Sequence, residues 1–417
     1  MGKTFSEKIL GRKAGQEVVA GEFVEIEPDV AMSHDNTADI SRKFYSLGID
    51  RVKNPDRHVI VLDHATPPSN DKFAENHKVI REFVKEQDIR GFYDINRGIC
   101  HQVLPEEGYI VPGIVAVGSD SHSTSYGAFG AFGTGIGRSE MAVIMATGKI
   151  WFKVPETVRV VVKGDIPPGI SSKDIILHII GDLGADGALY QAVEYTGPVV
   201  KRMSVASRFV LSNMAVEFGA KAGYSIPNRE TVDFLHGRTG NSWEVIESDP
   251  DADYAAEYTY DISDLAPQVA KPHTVDNVSP VEDVEGTEID QVFFGSCTNA
   301  RLEDFQVVAD IVRGRKIHPG VRMLVFPASR EVLFDALRNG YIQDILEAGA
   351  VLMNPGCGAC MGNHEGVPAA GEVVISTSNR NFKGRMGNKD AEIYLASPRT
   401  AAVSALTGAI TDFRKTI

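Results

Sequence analysis

Cysteine is scarce in this chain, with four in 417 residues. With no apolar leader and no apolar run of about 18 residues, the sequence offers no disulfide framework, secretory signal or membrane helix. A reducing, soluble setting follows, and a cytoplasmic location is the expectation. Basic residues are also short, 42 Lys and Arg against 56 Asp and Glu, for a formal charge of -14. Nucleic acids and anionic membranes both require a basic face, so neither is an expected partner. An anionic substrate would need a local basic pocket inside this acidic field. There is no P-loop and no repeat period, and Gly127, Gly130, Gly133, Gly135 and Gly137 lack the G-x-G-x-x-G register. That ladder reads as a close-packed turn before a helix over 139–149.

The length and an apolar content of 43% support two to three domains. Val/Ile/Leu runs alternate with helical stretches, as in Val59–Leu62 followed by 70–87 and Met323–Phe326 followed by 330–339. Continuous apolar strands alternating with helices predict an α/β fold of mainly parallel sheets. Boundaries are expected near 1–154, 155–270 and 271–417. The acidic segment 248–286 reads as a linker.

Three of the four cysteines fall in two Gly-, Ser- and Asn-rich turns, Gly-Ser-Cys297-Thr-Asn and Gly-Cys357-Gly-Ala-Cys360. Each turn ends an apolar strand. Three thiolates make a soft-metal site with one position open, such as an iron–sulfur cluster. Spacing alone leaves other readings: structural zinc held with His364, a redox pair at Cys357 and Cys360, or packed thiols. Asp63-His64, Asp120-Ser121-His122, Cys297, Cys357 and Ser378-Asn379-Arg380 each follow a predicted strand. Strand carboxyl ends are where open parallel sheets bind ligands, so one shared cleft is expected.

The segments Ser-Cys297-Thr-Asn, Gly-Cys357-Gly-Ala-Cys360 and Ser-Asn379-Arg380-Asn-Phe-Lys-Gly-Arg385 resemble the motifs of the aconitase superfamily, and the likeness covers nearly the whole chain. It is nearest to the large subunit of the two-chain members, the 3-isopropylmalate dehydratases and homoaconitases. The resemblance implies three aconitase-like domains around a shared cleft and a 4Fe-4S cluster on Cys297, Cys357 and Cys360 with one open iron. It also implies that Asp63, His64 and His101 manage the proton of the leaving hydroxyl, while Asp120, His122 and Glu217 order water and substrate at the cluster. His34, Ser121, Asn213, Asn379, Arg380 and Arg385 are the implied substrate-binding residues, Arg380 and Arg385 as carboxylate clamps and Asn213 also near the cluster. Where His34 stands, aconitase itself has Gln. Cys100 reads as a small hydrophobe, since the three matched ligands lie elsewhere.

The implied reaction is a hydro-lyase isomerisation that moves the hydroxyl of a 2-hydroxy di- or tricarboxylate through a cis-alkene. Isopropylmalate is the first expected substrate, homocitrate or homoaconitate the second, citraconate or dimethylmalate the third. Family enzymes take the carbon-bound proton with a serine of a fourth domain, for which this sequence shows no counterpart. A separate small subunit is expected to supply it, with another arginine, and this polypeptide alone is expected to be inactive. A zinc-stabilised binding module or a regulator is the non-enzyme alternative.

Overall fold

Apolar runs that read as strands become strands of parallel sheets, most of their residues buried, in the computed structural model, which describes residues 2–240 and 242–416. The first sheet has five parallel strands in the order Gly91–Tyr93, His58–Val61, Val30–Ser33, Val115–Gly118, Phe132–Gly135. The chain winds outward one way from Val30–Ser33 and the other way from Val115–Gly118. Strand order therefore reverses between those two neighbours.

A second, four-stranded parallel sheet runs Ala222–Ser225, Ala192–Thr196, Thr157–Lys163, Ala256–Asp261. The third sheet has seven strands: Val278–Pro280, Gln268–Ala270, Glu392–Leu395, Val373–Ser376, Gln291–Phe294, Arg322–Val325, Val351–Leu352. Its last five are parallel and its first two antiparallel. Here the order reverses between Gln291–Phe294 and Val373–Ser376. A ribbon of Phe23–Ile26 with Ile150–Lys153 completes the sheets.

Two sequence expectations need correction. The segment 248–286 is not a bare linker: it carries strands of both the second and third sheets, and their shortness and mixed burial hid them from periodicity. The sequence also reads 206–222 as one helix with Asn213 and Glu217 four residues apart on one face; it is α-helical only over Val205–Met214, tightens to a 3-10 turn over Ala215–Phe218, and stops at Gly219, where φ is +92°. Left-handed backbone at glycine is a common helix stop.

Close approaches join the three layers. The glycine ladder does pack tightly, since a Cβ on Gly127 would lie 1.6 Å from the Gly223 carbonyl oxygen. Ile99 donates to the Ala328 carbonyl and Cys357 to the Asp63 carbonyl, fastening the first layer to the third.

Candidate active site

Both strand-order reversals carry polar loops at strand carboxyl ends, the position that favours ligand binding. On the first sheet these are His34–Asn36, Asp63-His64 and Ser119–His122. On the third they are Cys297 with its flanks and Ser378–Arg380, with Cys357–Cys360 beyond the outermost strand.

Asp63 and His64 would point apart if the strand continued. The strand ends at Val61, and the Asp35 carboxylate accepts N–H bonds from Asp63 (2.9 Å), His64 (2.8 Å) and Ala65 (3.1 Å), fixing a turn. His77 Nε2 donates to the same carboxylate at 2.7 Å. Within that turn His64 Nδ1 donates to Asp63 Oδ1 at 2.6 Å, and the second Asp63 oxygen accepts the Cys100 N–H at 2.7 Å. Burial alone would lower the His64 imidazole. The charge and hydrogen bond of Asp63, with Asp120 and Asp35, outweigh it and hold the group up to about 10. His64 is therefore an imidazolium at neutral pH. The His34 ring stacks on it, centroids 4.0 Å apart, and burial together with the His64 charge takes His34 down to about 4.

Asp120 caps the 3-10 helix Ser121–Phe129 by accepting the His122 N–H at 2.8 Å, as its polar turn suggested. The same oxygen accepts from His101 Nε2 at 2.8 Å, and the other lies 3.7 Å from His64 Nε2. Burial would raise the Asp120 carboxyl, but His101 and His122 keep it well below the usual range. Tyr126 bonds His101 Nδ1 through its hydroxyl at 3.3 Å. Between the layers, His122 Nε2 donates to Glu217 Oε1 at 2.7 Å, and Arg380 Nε donates to Glu217 at 2.9 Å. Burial works against the Glu217 charge, yet Arg380 and His122 hold this carboxyl below its ordinary value. Ser121 sits beside His122, with its hydroxyl 3.5 Å from Nδ1.

The sulfurs are met by donors. Asn213 Nδ2 and Asn379 Nδ2 point at Cys297 Sγ, at 3.1 and 3.2 Å, and Arg385 Nη2 points at Cys360 Sγ at 3.3 Å. The Asn213 oxygen is in turn held by Thr298 Oγ1 (2.9 Å) and Asn379 Nδ2 (3.2 Å). Arg301 grips the Cys297 and Thr298 carbonyls and lies over the Phe209 ring, which gives it a loop-holding place. Burial pushes the Cys297 thiol up to about 12, with the Asp120 charge adding to it. The hydrogen bond from Cys357, helped by Arg385, favours charge on Cys360. A neutral thiol is a weak acceptor, so amide and guanidinium donors aimed at sulfur suit metal-bound thiolates.

The zinc alternative fares less well. His364 Nε2 bonds the Pro67 carbonyl at 3.2 Å. Among the described residues, the one group of three or more possible ligands within 4.8 Å of one another is His34, Asp35, Asp63 and His64, not the cysteines. A single tetrahedral ion with bonds of about 2.3 Å needs sulfurs closer than that. The His/Asp group is itself occupied: Asp35 takes four N–H donors and Asp63 two. Cys100 is buried, its backbone spent on Asp63, and burial with the Asp63 charge holds its thiol well up.

His77, Tyr126 and Lys173 were missed as members of this network. His77 left a signal, since it shares the buried stripe of helix Asp71–Glu86 with Ile80, Phe83 and Val84. A histidine in such a stripe must find a polar partner.

The fold thus brings sulfurs met by N–H donors next to buried imidazole–carboxylate pairs. The chain matches the aconitase family (aconitate hydratase) over residues 7–408 and belongs to it. It is 52% identical over 415 residues to 3-isopropylmalate dehydratase large subunit 1 of Methanopyrus kandleri, covering 99% of each chain. It is 53% identical over 388 residues to a probable methanogen homoaconitase large subunit of Methanosarcina mazei, 93% of this chain and 98% of the other. A solved aconitase X (holo-form) of Thermococcus kodakaraensis aligns with a TM-score of 0.49 at 15% identity, covering 97% of this chain and 90% of that one.

Proposed function

We propose that this chain is the cluster-bearing large subunit of a two-chain hydro-lyase that interconverts 2-isopropylmalate and 3-isopropylmalate, a step of leucine biosynthesis. One observation carries the reading: N–H donors are aimed at Cys297 and Cys360, and the adjoining Cys357 turn is hydrogen-bonded to Asp63, the carboxylate partner of His64. The donor set fits a 4Fe-4S cluster held by Cys297, Cys357 and Cys360; when bound, it supplies a Lewis acid at the iron left without a protein ligand.

The chain's own residues supply the rest. His64 carries the proton for the departing hydroxyl, and Asp63 fixes its tautomer and stabilises its charge. His101, bonded to Asp120 and Tyr126, orders the oxygen that leaves and returns. His122 and Glu217 hold one another on the opposite wall and position water there. Arg380 spends its Nε on Glu217, which orients its remaining N–H groups toward a substrate carboxylate. Ser121 and neutral His34 offer further polar contacts, while Asn213, Asn379 and Arg385 steady the sulfurs. No group here is assigned the carbon-bound proton. The relatives' designation as large subunits supports a partner that brings that base.

Homoaconitase activity is the second reading, favoured by the equal likeness to the Methanosarcina mazei protein. The test is anaerobic co-expression with candidate small subunits, followed by turnover of 2-isopropylmalate and homocitrate. The expected result is iron and sulfide in the chain, no turnover by the chain alone, and isopropylmalate turnover by the pair. A chain without sulfide, or one that turns over isopropylmalate unaided, refutes the proposal.

A further inference from the structure

Lys173 is buried completely, an unusual place for an ammonium group. It lies in the first turn of helix Ser172–Leu183, where the helix dipole disfavours a cation. Its Nζ donates to the Thr377 carbonyl at 2.9 Å and to the Ser378 carbonyl. Among the described residues no carboxylate comes within 4.0 Å of it, and neighbouring Asp174 is engaged with Ser171 and Gln268. A buried charge without a counter-charge is strongly unfavourable. Burial accordingly pulls this ammonium down to about 7, and the groups opposing that fall are Cys297 and Cys360 first, then Glu217 and Asp174.

Its location supplies the missing anion. The two carbonyls belong to the turn that follows strand Val373–Ser376, and the next residue, Asn379, donates to Cys297 Sγ. Lys173 thus comes from the second sheet's layer and clamps the loop that touches the sulfurs. We infer that Lys173 is a positioning residue and, with Arg385, a buried counter-charge of the metal centre, offsetting thiolate charge and tying the second layer to the cluster loop. The inference rests on the cluster reading above.

The test compares anaerobically prepared wild type with Lys173→Gln, which keeps an N–H donor but loses the charge, and with Lys173→Arg, which keeps the charge. Lys173→Met serves if the Gln variant does not fold. Iron and sulfide per chain, the reduction potential of the centre, its loss rate in air, and unfolding midpoints with and without metal are measured. The neutral variants should show a more negative potential, about tenfold faster loss, and a larger drop in midpoint for the loaded form than for the empty one. Lys173→Arg should restore the potential. An unchanged potential with equal drops in both forms overturns the inference and leaves a purely structural lysine. A wild-type chain without iron and sulfide overturns the cluster reading, and the inference with it.

Discussion

Replacing Asp63 by Asn tests the proton-donor assignment with little change in shape. The Asp63 carboxylate has two tasks: Oδ1 accepts from His64 Nδ1 at 2.6 Å and Oδ2 accepts the Cys100 N–H at 2.7 Å. An amide has one acceptor oxygen, and the backbone N–H at Cys100 will claim it. The amide nitrogen then faces His64 Nδ1, which must become an acceptor, and the imidazolium is lost. In the wild type His64 is held up to about 10, so nearly all of it carries the proton at neutral pH. Asp120, 3.7 Å from Nε2, and Asp35 remain in the variant, but the strongest partner is gone, and a value near the ordinary 6.5 leaves roughly a tenth protonated at about pH 7.5. Combined with the wrong tautomer, kcat/KM should fall by roughly 10² to 10⁴. The sign follows from the raised value. The acid form is complete below the group's pKa and disappears as pH rises through it, near 10 in the wild type and near 6.5 in the variant. The assay is the pH profile of dehydration by the assembled two-subunit enzyme, read from the absorbance of the alkene acid. A variant within tenfold of wild type whose profile runs parallel to it refutes the role given to His64.

Asn213→Ala strips the buried Thr298 hydroxyl and Asn379 amide of a partner as well as Cys297 of a donor, so urea unfolding of the metal-free chain should show a loss on the order of 3 kcal/mol. Gly127→Ala drives a Cβ into the Gly223 carbonyl at 1.6 Å, backbone against backbone, and should cost about 3 kcal/mol in the same measurement; a loss below about 1 kcal/mol would contradict the packing. Cys100→Ala should leave iron and sulfide per chain unchanged, because Cys100 is not one of the three proposed ligands and the variant keeps the backbone N–H that Asp63 accepts.

Much of the scaffold could be read from the chain because buried parallel strands need unbroken apolar runs, and Val59–Leu62, Val292–Phe294 and Val373–Ile375 lie within a residue of observed strands. The cysteine turns were legible for a related reason, since thiols crowded among Gly, Ser and Asn have little to do in a core. What escaped is set by contacts distant in sequence. The structural part Asp35 plays shows only when three N–H groups from 63–65 close on its carboxylate. Lys173, in Ser-Ser-Lys-Asp, looks like a solvated helix start, and only the 377–378 turn shows it buried. Arg385, expected as a substrate clamp by resemblance, spends a guanidinium nitrogen on Cys360 Sγ. A motif gives a residue's neighbourhood, but not the direction of its donors.

Asp63 shows why acid and metal loops need the same scaffold. Its carboxylate holds His64 in the donating tautomer, while its carbonyl accepts the Cys357 N–H at 2.9 Å. A Cβ on Gly356 would come within 2.9 Å of that carbonyl oxygen, so a larger residue there would force the two loops apart. His64, the proposed proton donor, and Cys357, a proposed ligand, are therefore separated by one residue and one hydrogen bond, although they arise from different sheets. Hydroxyl departure needs protonation and Lewis-acid assistance at the same oxygen, and errors of about 1 Å in such geometry can cost about a hundredfold in rate. A shared backbone anchor makes the relative position of the two groups a property of the fold rather than of flexible side chains.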